Sequence, residues 1–168
     1  MASQRQLAFD PVEEARRQWR EHGWGEAADG MAAVTSIMRA QQVLLARVDE
    51  VLRPLGLTFS RYETLRLLAF SRSGRLPLGK MGDRLQVHAA SVTNAVARLE
   101  AERQVRRLPN PSDGRGVLAE ITETGREVVE LATAELNAKV FTAVGFTDRQ
   151  CTELISLLRT LRRAAGDF

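Results

Sequence analysis

The side chains best placed to work on a partner lie within residues 89–102. Val92, Val96 and Leu99 recur at the spacing of one helical face, which leaves Ala90, Ser91, Thr93, Asn94, Ala97 and Arg98 on the opposite one. A merely solvated helix face is normally rich in glutamate and lysine. This face instead carries small, hydroxyl and amide side chains, with one arginine near its end. Small residues allow close approach to a groove, and an asparagine can pair bidentately with adenine. A threonine can touch a thymine methyl, and an arginine can reach a phosphate or a guanine. The competing reading is a low-charge helix packed against another part of the protein.

The flanking residues set the frame for that face. A short helix is expected over 78–85, with Met81 and Leu85 inward, and Gln86-Val87-His88 follows as a turn. Beyond the 89–102 helix, 104–108 and 117–121 read as strands with partial alternation. They are bridged by Pro109-Asn110-Pro111-Ser112-Asp113-Gly114-Arg115-Gly116, a loop built almost wholly of turn-favouring residues. Arg115 sits near the loop's tip, where it could enter a minor groove, and Asp113 could orient it through a salt bridge. Helix, turn, helix and two-stranded wing over 76–122 make a winged helix-turn-helix, the arrangement that presents one helix to a major groove. Charge agrees. Residues 72–116 hold nine basic and four acidic residues, a surplus of five, whereas the rest of the chain is at −2. A local surplus suits a polyanion, although an ordinary solvated surface is an equal alternative on charge alone.

The remaining elements are mostly helical. Asp10-Pro11-Val12-Glu13 is a helix start, and the helix should stop at His22-Gly23. Trp19 and Trp24, the only tryptophans, are expected to pack. A long helix is expected to open at Gly30 and to end before Pro54, with Met31, Val34, Ile37, Met38, Leu44, Leu45, Val48, Val51 and Leu52 in register. Ser60-Arg61-Tyr62-Glu63 reads as a capping box, and Thr122 as the cap of a helix reaching about Val144. Thr147-Asp148-Arg149-Gln150 reads as a second capping box, opening the last helix. The surplus leucine and alanine of the outer helices encloses no second core, so a homodimer interface is their simplest use. The fold class is therefore mainly α with a small β wing. A winged helix-turn-helix at 58–122 is flanked by an extension at 1–29, a dimerisation helix at 30–57 and dimerisation helices at 123–168.

Composition excludes several function classes. With 44% hydrophobic and 27% charged residues, the balance is that of a globular domain. No apolar run approaches the roughly 18 residues of a membrane span, so no membrane partner and a cytoplasmic location are expected. Cys151 has no disulfide partner, and His22 and His88 have no companions at metal-ligand spacing, so neither metal nor cofactor is expected. Cys151 itself is expected to be a buried packing residue. Neither a glycine-rich phosphate loop nor a nucleophile–histidine–acid set is present, which argues against an enzyme. The rival to DNA binding is a winged helix used as a protein-interaction module.

The motifs Ser91-Val92-Thr93-Asn94-Ala95-Val96-Ala97-Arg98-Leu99-Glu100, Val105-Arg106-Arg107, Asp113-Gly114-Arg115 and Ile121-Thr122-Glu123-Thr124-Gly125 resemble the MarR family of bacterial transcriptional regulators. The resemblance runs from about Met31 to Ala165. It implies a symmetric homodimer on double-stranded DNA with a pseudo-palindromic operator whose half-sites lie about one helical turn apart. Ala90, Ser91, Thr93, Asn94, Ala97, Arg98, Arg107, Asp113 and Arg115 would then make the DNA contacts. A small aromatic or anionic effector would act between the dimerisation helices and the DNA lobe, with Trp19, Met38, Phe59, Tyr62 and Arg66 as candidate lining. Three departures stand out. Arg103-Gln104 replace the family's glycine and aliphatic residue, which loses the easy left-handed cap; Gly116 replaces a common basic residue in the wing; and the 10–22 helix lies upstream of the usual start. An extra Trp-bearing helix also occurs in the urate-responsive branch, and Glu63 and Arg107 match two of its positions. Ala95 stands where that branch has an arginine, so the motif is incomplete.

Overall fold

The computed structural model describes residues 7–111 and 116–168. They divide into two compact units, one ending at Arg47 and the other running from Val48 to Phe168.

In the first unit, α1 (Pro11–Glu21) starts as its sequence dictates. The Asp10 carboxylate accepts the Val12 N–H at 2.9 Å, and Pro11 occupies the first helical position, where no N–H is needed. The chain leaves α1 at His22 and Gly23. It then enters α2 (Gly25–Leu52), which begins at Gly25 rather than at Gly30. Glu26, Ala27 and Ala28 are good helix formers, so Gly30 is carried as an interior residue rather than acting as a start. Asp29 accepts from both Arg16 and Arg20, tying α1 to the first turns of α2. Trp19 and Trp24 meet edge-on with ring centroids 5.3 Å apart, a packing pair as expected.

The second unit begins inside α2. Pro54 ends the α-helix in a single 3-10 turn (Arg53–Leu55) closed by Gly56. Then come α3 (Phe59–Phe70), β1 (Arg75–Pro77), α4 (Leu78–Leu85), α5 (Ala89–Ala101), β2 (Val105–Pro109), β3 (Val117–Ile121), α6 (Glu123–Leu136) and α7 (Asp148–Ala164). The strands form one antiparallel sheet in the order β1-β3-β2, with Leu76 opposite Ala119 and Val105 opposite Ile121. Leu52, Leu65, Leu68, Met81, Val92, Val96, Leu99, Val105, Val129 and Leu136 are buried together, so α3, α5, α6 and the sheet share one core.

Several boundaries differ from the sequence reading. Thr58, not Ser60, caps α3, accepting the Arg61 N–H at 3.4 Å. Both are hydroxyl residues within the same turn, and only Thr58 has the extended backbone a cap requires. The first wing strand begins at Val105, because Gln104 belongs to the turn closing α5. The helix after Thr122 does not run α-helically to Val144. It turns into a π-helical stretch over Asn137–Phe141, and the Thr142 hydroxyl donates to the Asn137 carbonyl at 2.7 Å. Thr147 and Gln150 do form the reciprocal capping box that opens α7. No residue of α7 is buried, and Cys151 is only half-buried rather than a core residue. No described helix is long and apolar enough to cross a membrane.

Candidate nucleic-acid interface

The helix pair α4–α5 turns on Gln86, which takes the left-handed conformation (φ 55°) and donates its N–H to the Gly82 carbonyl. Gly82 is buried against the next turn, and a Cβ there would stand 3.3 Å from the Val87 carbonyl oxygen. The tight junction fixes where α5 starts, and the His88 carbonyl accepts from Ser91 and Val92 in its first turn.

α5 divides as its spacing predicts. Val92, Ala95, Val96 and Leu99 are buried, and Ala90, Ser91, Thr93, Asn94, Ala97 and Arg98 are all exposed. The Thr93 hydroxyl donates to the Ala89 carbonyl at 2.9 Å. With its one proton engaged there, Thr93 offers a partner only its methyl and an acceptor. The Arg98 guanidinium makes no ion pair and no hydrogen bond to any described residue.

Arg107 projects from β2 back to α5. Its guanidinium donates to the Thr93 carbonyl at 3.3 Å and lies 3.5 Å from a Glu100 carboxylate oxygen, while the Arg107 backbone N–H donates to the other oxygen at 3.2 Å. The sequence places Arg107 among DNA contacts; its bonds in this structure are to the helix that carries them.

The C-terminal end of α5 is held by a joint that sequence reading located only in part. Arg103 adopts φ 57°, so the left-handed cap is made despite the missing glycine, at a cost of about 1 kcal/mol. Gln104 donates its N–H to the Leu99 carbonyl at 2.9 Å, closing the turn. The Thr122 hydroxyl donates to the Arg103 carbonyl at 2.8 Å and accepts the Gly125 N–H at 3.1 Å. A Cβ on Gly125 would fall 2.1 Å from the Gln104 carbonyl oxygen, so the first turn of α6 lies directly on the end of α5. The Gln104 side chain is buried here, and its Oε1 has no hydrogen-bond partner among the described residues.

Beside the exposed face of α5 lies an open cleft of about 580 Å³ between the start of α3 and α5, lined by Thr58, Ser60, Arg61, Ser91, Asn94, Ala95, Arg98 and Glu102. Arg61 and Ser60 are absent from the sequence-derived contact set, because reading Ser60 as a cap directs it to the backbone. The Asn110 N–H donates to the Gly116 carbonyl at 3.0 Å at the base of the wing. Asp113 and Arg115, the expected wing contacts, lie outside the described residues.

The candidate effector residues divide between the two units. Trp19 contacts Trp24, and Met38 is exposed on α2. In the second unit, Phe59 and Tyr62 stack with centroids 6.1 Å apart. Arg66 is only 13% exposed and donates to Glu130, to the Val129 carbonyl and to the Thr133 hydroxyl of α6. The Thr133 hydroxyl itself donates to the Val129 carbonyl, so the Tyr62 hydroxyl, 3.1 Å away, is the donor to Thr133. The hydrogen bond from Arg66 holds the Glu130 carboxyl below the usual range, and burial pushes that of Glu63 above it. Among the described residues, no group of three or more potential ligands could hold a metal ion.

Residues 57–117, from two residues before α3 to the first residue of β3, match the model of the MarR family. The chain is 55% identical to Sco5413, a MarR family transcriptional regulator from Streptomyces coelicolor. The match covers 83% of this chain and 97% of that one, with a TM-score of 0.75. Sco3205, a second MarR family regulator from S. coelicolor solved in complex with DNA, is 27% identical over 82% of this chain and 88% of that chain, with a TM-score of 0.73. The transcriptional regulator SarZ of Staphylococcus aureus is 25% identical over 74% of this chain and 82% of its own length. With the winged helix-turn-helix in place and relatives of this closeness, the chain belongs to the MarR family of transcriptional regulators and is not an enzyme.

Proposed function

We propose that this regulator is a homodimer that reads a pseudo-palindromic duplex, placing one α5 in each of two successive major-groove segments. The observation carrying the reading is the division of α5, with its apolar residues buried and Ala90, Ser91, Thr93, Asn94, Ala97 and Arg98 all exposed. Asn94 and Arg98 are the base-reading candidates, the small residues permit close approach, and Asp113 with Arg115 would serve the minor groove. Arg107 contributes by bracing α5. That Sco3205 was solved with DNA supports the assignment.

Dimerisation is supported by apolar residues on the outer helices. Val34 and Met38 on α2 and Ile155, Leu157 and Leu161 on α7 are all more than half exposed, an arrangement that suits a partner subunit. Effector control is assigned to a small aromatic or anionic molecule that binds one spacing of the recognition helices better than another. Within the second unit, Phe59, Tyr62 and Arg66 are its candidate contacts.

Selection of bound sequences from random duplexes, followed by gel shifts on the recovered site, tests the reading. Wild type should select a two-fold symmetric site, and Asn94→Ala and Arg115→Ala should weaken it. Equal binding by both variants would sink the assignment. Sedimentation should give the mass of two chains.

A further inference from the structure

The cleft between α3 and α5 faces the same partner as α5 but is walled by residues that the base-reading argument does not use. A major groove is about 12 Å wide, and a helix with its side chains about 10–12 Å across, so a helix seated in it nearly fills it. Whatever protein surface flanks that helix then meets the sugar-phosphate ridge. In this molecule one flank is the start of α3.

Two arginines stand on opposite walls of the cleft without carboxylate partners. Arg61 uses its Nε on the Thr58 hydroxyl at 3.3 Å and has no ion pair, and the Arg98 guanidinium has no partner among the described residues. Three other arginines of this lobe are in ion pairs: Arg66 with Glu130, Arg106 with Glu120, Arg107 with Glu100. Glu102 is the one acid lining the cleft, against two guanidiniums. The Ser60 and Ser91 hydroxyls and the Asn94 amide line it too, adding neutral donors of the kind that backbone phosphates accept.

We propose that this cleft seats a backbone phosphate of the bound duplex between Arg61 and Arg98, which makes α3, outside the helix-turn-helix pair, a DNA-contacting element. The inference rests on the DNA-reading function proposed above. Arg61 acts through charge and so contributes to affinity without contributing to sequence choice. A free inorganic phosphate would satisfy the same chemistry, and the test separates the two sources.

Fluorescence anisotropy of the full-length chain is measured over a salt series with the selected duplex and with a random one. Arg61→Gln should weaken both about equally, by roughly tenfold at moderate salt. It should also lower the slope of log affinity against log salt by about one, the signature of one lost phosphate contact. Arg61→Lys should keep the slope, and Asn94→Ala should change sequence preference with the slope intact. An Arg61→Gln slope equal to wild type overturns the proposal while leaving the DNA-reading function standing. So does loss of binding by both Arg61 variants together with a lowered thermal midpoint, which would make the residue structural. Saturable binding of inorganic phosphate that needs Arg61 but leaves duplex affinity unchanged assigns the cleft to a free anion and overturns it as well. Wild type failing to bind any duplex would instead remove the underlying function.

Discussion

α3 carries two arginines five positions apart, and the molecule treats them in opposite ways. Arg66 faces α6, is mostly buried, and is tied to Glu130, the Val129 carbonyl and Thr133. Arg61 borders α5 and keeps most of its guanidinium without a partner. The seam with α6 is densely bonded: Thr133 receives both Arg66 and Tyr62, its own proton goes to the backbone, and only the buried Arg66 Nε is left without a partner among the described residues of this seam. The flank beside α5 is open, with donors and little to receive them. Charges engaged inside the fold hold its shape, and charges left over mark where a partner belongs. The same division separates Arg107, whose guanidinium is held by α5, from Arg98 on α5, whose guanidinium has no partner among the described residues.

If this division is right, substitutions on the closed side change stability and those on the open side change DNA binding. Gly125→Ala should have the largest effect, about 3 kcal/mol of destabilisation, because its Cβ meets backbone that cannot move aside. Chemical denaturation measures it, and a loss under about 1 kcal/mol would mean that the α5–α6 contact is loose. Arg66→Met should cost about 2 kcal/mol by removing the charged hydrogen bonds that tie α3 to Glu130, Thr133 and the Val129 carbonyl of α6, with the salt dependence of duplex binding unchanged. A change in salt slope there would erase the distinction between the two faces of α3. Asn94→Ala should leave the thermal midpoint alone and lower affinity for the selected duplex about tenfold, some 1.4 kcal/mol. Arg103→Gly should stabilise by somewhat less than about 1 kcal/mol, since it relieves the left-handed strain but frees the unfolded chain.

The smallest effect concerns Glu63. Burial raises its folded pKa above the ordinary 4.5, so the folded state holds the proton more tightly than the unfolded one. The stability this contributes is complete below the ordinary value and is lost as pH rises through the folded one. Glu63→Gln should therefore gain on wild type in thermal midpoint as pH rises from acid to neutral. A gain of the same size at every pH would show that the carboxyl is solvated.

The sequence was most legible where one pattern had one structural meaning. The spacing of Val92, Val96 and Leu99 fixed the buried face of α5, and Asp10-Pro11 and Thr147-Gln150 fixed two helix starts. Legibility failed where equivalent residues competed. Thr58 and Ser60 are both plausible caps, and the backbone chose between them. The π-helical turn at Asn137–Phe141 leaves the helical pattern of apolar residues intact, so periodicity cannot reveal it. At the interface, residue type was readable and engagement was not. Arg107 and Arg61 are both arginines near the recognition helix, and only the positions of Glu100 and the Thr93 carbonyl show which one is already engaged.

The Thr122 hydroxyl is one oxygen with two obligations, capping α6 and holding the carbonyl that follows α5. A valine there would release both at once, whereas a serine would keep both. The joint therefore has no slack of its own: any rotation of α6 must either break it or swing α5 in the same sense. The helix that leads toward the chain's C-terminal end and the helix proposed to meet the duplex form two arms of one lever, with its pivot in a threonine and a glycine three residues apart.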